Sequence, residues 1–75
     1  MLTAEMKVNG TLVGVLYIHN TGWVEGQRSA DLYNYEVVYH RVGSTEAPQV
    51  GAFKHSRADG ADVCVEKALK SLHGN

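Results

Sequence analysis

Polar and apolar residues alternate from the start of the chain, and the alternation breaks at Asn9-Gly10. Both residues tolerate positive φ, as the central positions of a type I′ turn require, and β-formers flank them. The pattern predicts strands over Leu2–Val8 and Thr11–His19. Undisturbed pairing from that turn sets Val8 against Thr11, Met6 against Val13, Ala4 against Val15 and Leu2 against Tyr17. This nearly apolar face is expected to point at the core. Thr3, Glu5 and Lys7 take the opposite face together with Leu12, Leu16 and Ile18. The second strand is thus apolar on both sides, which suits a central or partly covered position.

Asn20–Ala30 is a connection carrying two glycines and the only tryptophan, in Gly22-Trp23-Val24-Glu25-Gly26. It is either a long loop, of the kind that often carries function, or an extension of the second strand. From Leu32 to Val42, Tyr33, Tyr35, Val37 and Tyr39 alternate with Asn34, Glu36, Val38 and His40, which predicts a third strand with an aromatic face. Gly43–Pro48 has turn composition. Pro48 cannot donate a ladder hydrogen bond, so it is expected at the mouth of a fourth strand over Gln49–His55.

A helix is predicted over Arg57–His73. Ser56 and Asp59 have the spacing of a short-armed capping box. Ala61, Val65, Ala68, Leu69 and Leu72 recur on one face with Cys64 beside them, while Asp62, Glu66, Lys67 and Lys70 take the other. The acids lie toward the positive end of the helix dipole and the bases toward the negative end, with Gly74 as the stop. The expected fold is therefore α+β, one domain over residues 1–75. It consists of an antiparallel sheet of about four strands, as two hairpins, with one C-terminal helix packed on one face. The helix needs an apolar surface, so Tyr33, Tyr35 and Tyr39 are expected beneath it. The other reading of that stripe is a base-stacking platform.

Seventy-five residues leave room for one thin core, which self-association would help stabilise. A formal charge of −1 gives no overall steering toward phosphate or anionic lipid. Cys64 stands alone, so no internal disulfide forms, and a reducing compartment is the expectation. Met1-Leu2-Thr3-Ala4-Glu5 has neither the basic start nor the apolar run of a signal peptide, and Leu12–Ile18 is too short to span a bilayer. A cytoplasmic location with no membrane partner follows as the expectation.

The chemistry-bearing residues are sparse. No Gly-x-Ser-x-Gly elbow accompanies the serines and histidines, so an enzyme is not expected. His19, His40, His55, His73 and Cys64 include no pair at metal-motif spacing, and neither metal nor cofactor is expected. One register, with Val42 opposite Gln49, would bring His40, His55 and Glu36 onto one side of the sheet. Cys64 lies about two turns inside the helix, a position for a small core residue. Lys54-His55-Ser56-Arg57, with His40 and Arg41 near, marks the entry to the helix, where cations and free backbone N–H groups would meet. It is either a phosphate site or a solvated patch. Trp23 is either an exposed interface anchor or a ring folded over the sheet edge.

From Tyr35 to Leu72, the strand–strand–helix order with Gly51, Phe53, Ser56, Arg57, Ala68, Leu69 and Leu72 resembles the second half of double-stranded-RNA-binding domains. The likeness covers about half the chain. The leading helix of that family is replaced here by the Asn9-Gly10 hairpin, and its Lys-Lys pair by Arg57-Ala58. The resemblance implies a similar sheet-plus-helix layout. The compact, motif-poor chain is also similar to small phage and bacterial open reading frames. The expected function is a small non-catalytic binding or adaptor module acting through a protein partner or a second copy. The alternative is a weak nucleic-acid-binding module. Candidate binding residues are Trp23, Arg41, Lys54, His55 and Arg57.

Overall fold

A computed structural model of the chain describes residues 2–26 and 31–73. Four strands run in sequence, β1 (Leu2–Val8), β2 (Thr11–Trp23), β3 (Leu32–Arg41) and β4 (Gln49–Ser56). They pair as one antiparallel sheet in the order β1-β2-β3-β4. A 3-10 turn (Arg57–Asp59) leads into helix α1 (Gly60–Leu72), which packs on β4 and β3. This is the α+β architecture the pattern predicts. Among the described residues no helix is long and apolar enough to cross a membrane.

The first hairpin turns where expected, with Asn9 and Gly10 both at positive φ (51° and 81°). Its register differs. Lys7 opposes Leu12 but Met6 opposes Gly14, so Val13 is an extra residue with no partner across the ladder. That single bulge inverts everything beyond it, because side chains alternate with a period of two. Ala4 faces Leu16 and Leu2 faces Ile18, while Val15 and Tyr17 turn to the other side. The bulge places two branched aliphatic side chains inside, at 0 % and 1 % exposure, and leaves the Tyr17 ring 38 % exposed.

The pairing of β3 with β4 also differs from the expected register. Tyr39, not Val42, opposes Gln49. Arg41 pairs with Gly14, and the Val42 N–H donates to the Val13 carbonyl at 3.0 Å, so the end of β3 is committed to β2. Consequently His55 faces Tyr33 on the covered side of the sheet, whereas Glu36 and His40 belong to the uncovered side. The anticipated meeting of His40, His55 and Glu36 does not occur.

The helix also begins later than expected. Gly60 has φ 88°, and this break makes residues 57–59 a separate 3-10 turn. Neither Ser56 nor Asp59 makes a side-chain cap hydrogen bond. Gly74, the expected stop, lies outside the described residues, as do residues 27–30 of the Asn20–Ala30 connection.

Leu16, Ile18, Val37, Cys64 and Ala68 form the buried cluster, flanked by Leu2, Ala4, Met6, Tyr35, Tyr39, Phe53, Val65, Leu69 and Leu72. Two glycines make this packing possible. A Cβ on Gly14 would run into the Tyr39 ring, and one on Gly51 would strike Ser71 of α1, whose backbone carbon lies 3.1 Å from that point. Gly51 therefore lets the helix approach β4 closely.

Candidate binding surface

β2 continues past His19 because a second bulge, at Thr21, is held by local hydrogen bonds. Asn20 opposes Tyr35 and Gly22 opposes Asn34. The Gly22 N–H donates to Asn20 Oδ1 (2.9 Å), Thr21 Oγ1 donates to the Asn34 carbonyl (3.2 Å), and Asn34 Nδ2 donates to the Trp23 carbonyl (3.4 Å). The first four residues of the Asn20–Ala30 stretch are thus an extension of the second strand. Its last residue, Trp23, is set opposite Tyr33.

A plate of side chains is built on that pair. The Trp23 and Tyr33 rings lie 6.2 Å apart, tilted by 50°. The Arg57 guanidinium stands over the Tyr33 ring, 4.9 Å from its centroid. Asp31 fixes Arg57 twice. Its carbonyl accepts the Arg57 N–H at 3.3 Å, and its Oδ2 accepts from Nε at 3.2 Å. The hydrogen bond from Arg57 pulls the Asp31 carboxyl below its ordinary range, and the same bond raises Arg57. Trp23 remains 45 % exposed with its ring against Tyr33.

His55 lies beneath, only 2 % exposed and edge-on to Tyr35 at 5.6 Å. Its Nδ1 is buried with no hydrogen-bond partner among the described residues. Beside it opens a cleft of about 290 Å³ whose walls include Leu2, Asn20, Tyr35, Gly60 and Cys64. Burial raises the Tyr35 hydroxyl and the Cys64 thiol above their usual values. Cys64 is a core residue with its thiolate disfavoured, which does not suit a nucleophile.

The remaining candidates lie elsewhere. Lys54 opposes Asn34 on the uncovered face, in a broad hollow of about 700 Å³ with Thr21, Glu36 and Ala52. Arg41 is at the far end of β3, opposite Gly14. The structure therefore brings Trp23 and Arg57 together on Tyr33, buries His55 beneath them beside the cleft that Arg57 also lines, and places Arg41 and Lys54 elsewhere on the sheet. The basic corner read from Lys54-His55-Ser56-Arg57 alternates between faces because it is strand up to Ser56. No set of three or more His, Cys, Asp or Glu side chains converges as metal ligands among the described residues.

Sequence reasoning missed Asp31 and treated Tyr33 as core. Tyr33 belongs to the aromatic alternation, but its neighbour across the sheet depends on the Thr21 bulge, which local pattern does not mark. Compared with protein-family models, curated proteins and solved structures, the chain matches none.

Proposed function

We propose that this chain is a small non-catalytic binding module that acts through protein contacts, with the Trp23–Tyr33–Arg57 plate as its anchor. The observation that carries the reading is the half-exposed Trp23 ring set beside a tyrosine and an arginine already fixed by Asp31. Tryptophan, tyrosine and arginine are the residue types that concentrate binding energy at protein interfaces. Holding them in place before the partner arrives reduces the ordering cost of association. A single buried cysteine fits a reducing compartment, so the proposed setting is cytoplasmic.

A nucleic-acid partner would draw its affinity from cations converging on phosphates. Arg41 and Lys54 stand on separate parts of the sheet, and Arg57 already serves Asp31, so that reading has less support. Affinity capture from the native host tests the proposal, comparing the wild-type chain with Trp23→Ala and with an Arg41→Ala/Lys54→Ala double variant. A protein partner retained by the wild type and the double variant, and weakened by more than about 1 kcal/mol with Trp23→Ala, supports it. A partner indifferent to Trp23 contradicts it. So does saturable binding of labelled RNA or DNA at low salt that the double variant abolishes.

A further inference from the structure

Helix α1 covers one side of the sheet, and no described element packs over the other. Three strands place an apolar row across that uncovered side. Tyr17 of β2 opposes Val38 of β3, which opposes Val50 of β4. Tyr17 is 38 % exposed and Val50 70 %. Val15 continues the apolar surface on one side of this row and Ala52 on the other. Beyond the row, His19 and Glu36 oppose each other on neighbouring strands.

We propose that a second copy of this chain occupies this face, the two sheets packing against each other around a two-fold axis. The inference concerns a surface separate from the Trp23 plate and stands independently of it. Two arguments select a second copy as the occupant. The first is complementarity. An axis parallel to the strands, passing between β2 and β3, lays each β2 over the β3 of the other copy. Tyr17 then covers Val38 of the second copy, and each His19 imidazole comes opposite the Glu36 carboxylate of the other copy, giving two equivalent polar pairs at the rim of the apolar row. A self-complementary patch is what a two-fold contact requires.

The second argument is area. Four strands at ~4.8 Å spacing and about eight residues long present roughly 19 by 27 Å, close to 500 Å² in projection on each copy. The two projections together come to about 1,000 Å², the size a specific interface has to clear, and the corrugation of the accessible surface adds to it. The monomer core also has reason to gain from association, because among the described residues only five hydrophobic side chains are buried.

Sedimentation equilibrium tests the inference at about 100 µM, which populates a dimer of micromolar Kd. The wild-type chain is expected near twice its 8.2 kDa mass. Tyr17→Glu and Val50→Glu are expected to weaken association by at least about tenfold, one like charge at the centre of the patch being more disruptive than one at its edge. Trp23→Ala should leave the dimer intact. Val50 is the safer probe, since its exposure keeps the substitution away from the core. A monomeric wild-type chain at that concentration overturns the proposal. A dimer unmoved by Val50→Glu, or one lost with Trp23→Ala, overturns it as well. Partner capture through Trp23 reads a different surface, so failure of one proposal is distinguishable from failure of the other.

Discussion

The two sides of β2 carry similar apolar residues and have opposite fates. On the covered face, Leu16, Ile18 and Val37 are at 0 %, 1 % and 0 % exposure under α1. On the other, their immediate neighbours Val15, Tyr17 and Val38 form an apolar surface with no described element above it. Within β2, composition does not separate them. What separates them is one extra residue, Val13, which decides the parity of β2, and one helix, which covers only the side it reaches. A strand apolar on both faces is thus able to build a core with one and keep the other for binding.

The largest effects should come from changes that touch the covered face. Leu16→Ala is expected to lower unfolding free energy by about 2–5 kcal/mol in urea titration, through lost burial and the cavity left behind. Tyr17→Ala, one residue away, should cost under about 1.5 kcal/mol when both are measured at concentrations low enough to keep the chain monomeric. Equal losses would erase the contrast between the faces.

Gly51→Ala should be next, at about 1–3 kcal/mol, because the new methyl forces α1 away from β4 at Ser71. The same change at Gly10, where φ is positive and the surroundings are open, acts through backbone strain alone and should cost about 1 kcal/mol. Melting temperatures of the two variants, read by circular dichroism, sharpen the comparison between crowding and strain.

pH separates the interior from the surface more gently. The Cys64 thiol is raised by burial, so its contribution is fully present below the ordinary thiol pKa and is lost as pH rises through the higher folded value. Denaturation midpoints should therefore fall on the alkaline side, and Cys64→Ala should lessen that fall. Asp31 is lowered by Arg57, so its contribution is present above the ordinary carboxylate range and is lost as pH falls through the lower folded value. The pair is exposed, and its effect should be the smallest of the series. Asp31→Asn should flatten the acid limb slightly.

Much of the fold was legible because its signals are local. Asn9-Gly10 marked the turn, the tyrosine alternation marked β3, and the stripe from Ala61 to Leu72 marked the helix. Bulges carry no such mark. Val13 and Thr21 each shift a register by one residue, and neither differs in type from an ordinary strand position. The first error sent Val15 and Tyr17 to the wrong face. The second hid the meeting of Trp23 with Tyr33. Of the candidate residues, Trp23 and Arg57 converge because Tyr33 lies between them. Lys54 and His55 part because adjacent strand residues point to opposite sides. Sequence proximity suggested a basic corner that strand geometry divides.

The division between the two faces can be tested by nuclear Overhauser contacts to the Ala68 methyl group, which lies in the buried cluster under α1. The account predicts contacts from Ala68 into the cluster formed by Leu16, Ile18 and Val37, with Val15 and Tyr17 showing none. Contacts from Ala68 to Val15 and Tyr17, with Leu16 and Ile18 silent, would mean that the Val13 bulge is absent and the faces are exchanged.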